Sequence, residues 1–277
     1  MLPCTPTMRA DDKMSMPPKL KDALSDIRTG LGLWRVWMAL AHEDIGDQHR
    51  RTTLGPIWLL ITYLSFACTF IFLFDRGHGA TNYPAHVATG LLVWFFIMET
   101  LTQSATLFTR EESFIKGTRL PFSVYVMRLM VRSTIRDGYA LVGCLAILFV
   151  SGTTFSFAWG WSALGLLLIL LTAPAAIIII AFLGAFIPDS QFVVANSMRL
   201  GMFLTPIFWM HDGASGVRAF FYDWNPFTYF IEIVRIPVIT GQMPWQAFTL
   251  CLVMCLVLWV VALTVFALLR RDLVRVL

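Results

Sequence analysis

Few side chains in this sequence are placed for reactive chemistry, and most of those are charges set inside or beside apolar runs. Glu99 and Arg199 each stand in a long hydrophobic segment, where an unpaired ion is costly and a charge usually pairs or faces water. Each lies about nine residues from the inner end of its segment, roughly 13 Å along a helix. We expect a mutual ion pair or a shared polar cavity. The competing reading has Arg199 snorkelling and Glu99 bonded to a hydroxyl such as Thr102 or Ser104. Arg128, Arg132 and Arg136 recur one helical turn apart in a charged island, Thr109–Asp137, which also holds Arg110, Glu111, Glu112 and Lys116. Glu232 and Arg235 are three apart and share a helical face. Cys251 and Cys255 are one turn apart, but no histidine or carboxylate accompanies them on that run. They read as small packing residues and not as metal ligands.

Several chemistries have no motif here. There is no Gly-x-x-x-x-Gly-Lys-Ser/Thr phosphate loop, no His-Glu-x-x-His and no Gly-x-Ser-x-Gly. No apolar segment carries the paired acids and histidines of a proton relay. No basic patch is interleaved with exposed aromatics as nucleic-acid binding requires, so no nucleic acid is expected as a partner. We expect no catalytic residue, no metal and no cofactor in this chain. What remains is a conduit or scaffold whose energy arrives from elsewhere.

The elements that position these charges are set by composition. The chain has 277 residues, 57% hydrophobic and 14% charged, with mean hydropathy +0.71. Soluble domains carry about 25% charged residues, and several apolar runs here exceed the roughly 18 residues that read as transmembrane helices. The expectation is an all-α polytopic membrane protein with six spans, at about 52–74, 85–108, 138–152, 161–187, 192–209 and 247–269. Residues 1–30 are assigned to a cytoplasmic tail, poorly ordered over 1–27, and residues 31–277 to one transmembrane domain. Leu31–Ile45 shows Leu33, Trp34, Trp37, Met38, Leu40 and Ala41 at helical spacing among polar residues, as in an amphipathic helix at the membrane interface. The competing reading is a soluble helix packed on a cytoplasmic partner. No signal peptide is visible, so the first span itself is expected to direct insertion. The helix after Pro121 is expected to run through Arg128, Arg132 and Arg136 before entering lipid.

Orientation follows from the basic residues. Cationic loops resist translocation, which puts the charged island and both termini on the cytoplasmic side. Counted on that arrangement, eight Lys/Arg fall in 1–51, six in 109–137 and three after 269, against Arg76, Arg218 and Arg235 outside. Asp75–Gly79 is then a short external loop. The stretch His211–Pro244 is too apolar for a solvated loop and too broken by Gly213, Gly216, Pro226 and Pro237 for a span. It fits re-entrant helices between the fifth and sixth spans, over about Ala214–Tyr222 and Phe227–Ile236, with Asn225 as N-cap before Pro226.

Three stretches together resemble a known family. They are Arg50-Arg51-Thr52-Thr53-Leu54-Gly55-Pro56-Ile57-Trp58, then Leu204-Thr205-Pro206-Ile207-Phe208-Trp209, then Asn225-Pro226-Phe227 with Ile231-Glu232-Ile233-Val234-Arg235. In order and spacing they resemble type-two ABC exporter permeases, most of all the branch that exports lipid-linked polysaccharide such as O-antigen and capsule. The resemblance covers roughly 30–277. His49-Arg50 departs from the Arg-Tyr pair of many members. The resemblance implies a homodimeric channel paired with two copies of a separate ABC ATPase, which would hold the ATP and Mg, and a lipid-linked glycan as cargo within the membrane lipid.

Sugars present apolar C–H faces as well as hydroxyls, and the chain has 23 Phe, 10 Trp and 6 Tyr. Tyr63, Phe66, Phe70 and Phe74 fall near one face of the first span and are candidate channel-lining rings; the competing reading is packing and lipid contact. Arg110, Glu111, Glu112 and Lys116 are expected on an exposed short helix that docks the ATPase. Phe220, Phe221, Tyr222 and Trp224, with Glu232 and Arg235, are expected to form an external gate. The alternatives are a permease for a small amphiphile or drug, and a membrane glycosyl- or acyltransferase.

Overall fold

The computed structural model describes residues 18–50, 52–74, 82–118, 120–210 and 216–276. The tail over 1–17, the external loop at 75–79 and the breaks between His211 and Gly213 lie outside these residues. Twelve helices follow one another among the described residues: α1 (Pro18–Gly32), α2 (Trp34–His49), α3 (Ile57–Phe74), α4 (Tyr83–Ser104), α5 (Leu107–Arg110), α6 (Glu112–Gly117), α7 (Phe122–Val150), α8 (Trp159–Phe186), α9 (Ser190–Leu204), α10 (Val217–Trp224), α11 (Pro226–Thr240) and α12 (Trp245–Val276). No strand occurs among them.

Among the described residues, five helices are long and apolar enough to cross a membrane: α3, α4, α7, α8 and α12 through Leu273. The segment read as a fifth span over 192–209 is shorter as a helix. α9 has 15 residues, about 22 Å at the helical rise, against a hydrocarbon core of about 30 Å. It stops because Pro206 disfavours the helical region for the residue before it, and Thr205 is extended at φ −84°, ψ 144°. The second span also ends earlier than 108: α4 stops at Ser104 and the chain turns at Ala105 and Thr106 into α5.

The N-terminal region differs most from expectation. Within the reach of the expected loose tail, a helix begins at Pro18, and one interfacial helix over Leu31–Ile45 becomes two, broken at Leu33. The reason is tertiary. Asp26 on α1, with a side chain 1% exposed, faces Arg270 on α12 at 2.8 Å. Its carboxylate also accepts the backbone N–H groups of Phe122 at 3.3 Å and Ser123 at 3.1 Å. Those are the first two donors of α7, which have no partner within their own helix. Pro121, in the N-cap position of α7, has no side-chain acceptor, so a carboxylate from another helix does the capping and meets the positive end of the α7 dipole. The Ser123 hydroxyl lies 2.8 Å from the same carboxylate.

The core has two parts. One lies around Tyr63, Trp94, Cys144, Ile207, Ile231 and Cys251 and joins α3, α4, α7, α11 and α12. The other joins α1, α5, α7, α8 and α12, where Phe182 meets Phe108 at 5.3 Å and Phe266 at 5.8 Å, both edge to face. Cys251 and Cys255 are buried within the first part.

Removing the Asp26 carboxylate should unlock α1 from both partners. Asp26→Ala is expected to destabilise the protein by about 3 kcal/mol, the usual scale for breaking a buried ion pair. Arg270→Ala should cost less, because the backbone donors of α7 keep their acceptor. Thermal unfolding in detergent checks this, and equal shifts for the two variants would sink the account.

Candidate functional site

The arginines spaced one turn apart on α7 form a ladder, each rung held by different partners. Arg128 donates from Nε and Nη2 to the two oxygens of Asp44 on α2, at 2.8 and 2.6 Å, and from Nη1 to Glu111 at 2.9 Å. The two-pronged contact is the strong geometry for a guanidinium and a carboxylate. Arg132 sits above it, 3.9 Å from Asp44 and 3.4 Å from the Gln103 carbonyl oxygen on α4. Arg136, about 12 Å along the axis from Arg128, is paired with Glu99 on α4 at 2.6 Å. The partner of Glu99 is thus Arg136 and not Arg199. The nearby hydroxyl of Ser104 is turned away, donating to the Thr100 carbonyl at 2.5 Å.

Glu99 and Arg199 nevertheless meet one space. A cleft of about 620 Å³ between α3, α4, α7 and α9 is lined by Glu99, Arg136, Asp137 and Arg199 on its polar side, and by Tyr63, Phe66, Phe95 and Phe203 among its apolar residues. The four rings expected as one stripe divide. Tyr63 is 1% exposed and donates its hydroxyl to the Ala88 carbonyl at 2.7 Å. Its ring lies so close to Gly143 that a Cβ there would come within 2.6 Å of it. Phe66 is 42% exposed on the cleft and meets Phe95 edge-on at 5.6 Å. Phe70 stacks on Phe208 at 3.9 Å and also meets Phe74.

The short helices of the charged island also divide. Glu112 and Lys116 are a surface pair at 2.6 Å, both about half exposed, with Phe114 exposed beside them. Arg110 is partly exposed and donates to Gln103 at 2.9 Å. Glu111 was expected on this surface but points inward, 14% exposed, because Arg128 draws it in.

On the other side of the first core cluster, α10 and α11 take up the two pieces expected of the re-entrant stretch. Asn225 caps α11 by accepting from Phe227 N–H at 3.0 Å, with Pro226 in the first turn. Arg235 is 5% exposed and donates to the Pro206 carbonyl at 2.8 Å. Its guanidinium lies against Gly90 on α4, where any Cβ would collide with it. Glu232 accepts from the Tyr222 hydroxyl, tying α10 to α11. Phe220 and Trp224 stack at 6.1 Å and are exposed on the single chain.

Asp44, Gln103, Ser133 and Asp137 were not singled out from the sequence. The arginine spacing was the available signal, since three cations at the rim of an apolar run require acceptors. Neutralising Glu99 and Arg136 should be strongly non-additive, with a coupling of about 1–3 kcal/mol in a double-mutant cycle. Glu99→Gln and Arg199→Gln should add. Thermal unfolding of the single and double variants checks both, and coupling to Arg199 with none to Arg136 would overturn the pairing.

Comparison with known proteins places the chain in a family. The chain is similar to two proteins of Klebsiella pneumoniae, each described as an O-antigen export system permease protein, RfbA. They are 23% and 22% identical to it over 240 residues, which is 84% of this chain and 92% of each relative. Residues 35–239 match the family described as ABC-2 type transporter. That match covers most of the chain and nearly all of the elements above, and the chain belongs to the ABC-2 type transporter family.

Proposed function

We propose that this chain is the membrane-spanning permease subunit of an ATP-driven exporter that moves a lipid-linked polysaccharide across the bacterial inner membrane. Two copies would form the conduit, each engaging one copy of a separate ABC ATPase that holds the ATP and Mg. The observation that carries the reading is the placement of α5 and α6. Glu111 fixes their junction to Arg128, and Arg128 is fixed to Asp44, so a push on the exposed Glu112, Phe114 and Lys116 reaches α7 and α2 as one body. The names of the Klebsiella relatives support polysaccharide as cargo. In this reading α9 and the corner at Thr205–Trp209 complete a sixth span, and both termini are cytoplasmic. α1 and α2 lie along the inner interface with Trp34 and Met38, both exposed, toward lipid.

Deletion of the gene in its host should leave the finished lipid-linked glycan inside the cell, identifiable by mass spectrometry and lost from the surface. Glu112→Lys with Lys116→Glu should keep the internal pair but invert the face offered to the ATPase, cutting co-purification of the two chains and export together. Glu111→Lys should fail differently, by loosening α2 and α7. Normal export from the Glu112/Lys116 double variant would remove the docking role.

α10 and α11 would close the outer mouth of the conduit, with the exposed Phe220 and Trp224 meeting across the dimer axis. Trp224→Cys is placed to test this, since Trp224 is exposed. Oxidation should cross-link two copies and stop export, and reduction should restore it. Full-rate export from the cross-linked dimer would show that this segment does not move.

A further inference from the structure

We infer that the cleft between α3, α4, α7 and α9 is a subsite for one neutral sugar residue of the exported glycan, held through its hydroxyls by Asp137 and Ser133. The inference rests on the export reading above and deepens it. Ser133 and Asp137 are four residues apart on α7, so they share one helical face, and both line the cleft. The Ser133 hydroxyl and one carboxylate oxygen of Asp137 are buried and have no hydrogen-bond partner among the described residues. Ser133 itself is 2% exposed. A buried polar atom left unbonded carries its full desolvation penalty, so these two wait for a partner. The space is too large for a single bridging water, which needs about 30 Å³. It lies within the range of small-molecule sites, about 300–1,000 Å³.

The groups left open select the class of ligand. Glu99 and Arg136 are closed on each other at 2.6 Å. Asp137 and Arg199 remain on the cleft, and Arg199 is exposed. A hydroxyl is served by both, because it can donate to or accept from the Asp137 carboxyl and accept from the Arg199 guanidinium. The apolar wall suits the same ligand. Phe66 and Phe95 meet edge to face at 81°, which leaves ring surface of the half-exposed Phe66 free to lie on a sugar's C–H face. Each contact is modest, as a chain that must slide requires.

The test uses the full-length protein in phosphatidylcholine nanodiscs and saturation-transfer NMR. The probes are the methyl glycosides of glucose, galactose, mannose and rhamnose. At least one should show transfer to its ring C–H protons. That signal should be about tenfold weaker in Asp137→Leu and about threefold weaker in Ser133→Ala, which removes only a hydroxyl and leaves the packing intact. Pyrophosphate and glycerophosphoethanolamine should not compete. Competition by either makes the cleft a headgroup site and overturns the proposal. So does silence from all four glycosides, or a signal unchanged in both variants. Surface polysaccharide is scored in parallel on cells carrying the wild-type gene. Export without glycoside binding removes the subsite alone, whereas absence of export removes the reading it rests on.

Discussion

The bidentate bond between Arg128 and Asp44, completed by Glu111, is the contact on which the charged end of the molecule depends. One guanidinium gathers a helix before the first span, the short helices after the second and the long helix of the third. Their residues are far apart in sequence, and no single apolar face connects them. Charge does so because this is the rim of an apolar slab. Ions there are partly stripped of water, so their mutual attraction is weakly screened, yet each would be costly alone. The ladder continues the logic upward: Arg132 shares the lower acceptor and reaches Gln103, and Arg136 finds Glu99. The polar residues of the cleft begin where the ladder ends, so the groups that would touch cargo and those that would take up a push lie on one helix.

What could be read from the sequence follows from the range of the interactions involved. Helices set by long apolar runs were legible, and so was the Asn225–Pro226 start of α11, because cap and proline are neighbours. The family was legible from three short stretches and their order. The end of α9 was misplaced by reading hydrophobicity through Thr205–Pro206, although a proline's effect on the preceding residue is local and was available. The fold of α1 was hidden for the opposite reason. Pro17 and Pro18 look like breakers, and the partners that order Asp26 lie about a hundred residues away or further.

The pairing of Glu99 shows a subtler limit. Counting residues gave Glu99 and Arg199 a common depth, and the two do border one cleft. Depth fixes a side chain along the helix axis and says nothing about rotation around it. α4 turns Glu99 toward α7, where Arg136 stands at the same level. Asp137 escaped notice because it follows Arg136 directly and looked like part of a solvated island. One residue further along a helix is a rotation of about 100°, enough to take Asp137 away from Glu99, the partner of Arg136.

The clamp at Asp26 also sets an order of assembly. Its carboxylate is synthesised first, the donors of α7 emerge well after it, and Arg270 emerges only once α12 has left the ribosome. Until then α1 can dock on α7 but leaves one acidic oxygen without its cation. A nascent chain stalled before Arg270, or one whose last helix inserted the wrong way round, would keep a buried carboxylate without its cation. The finished clamp therefore records that the last helix runs in the direction that brings Arg270 to Asp26.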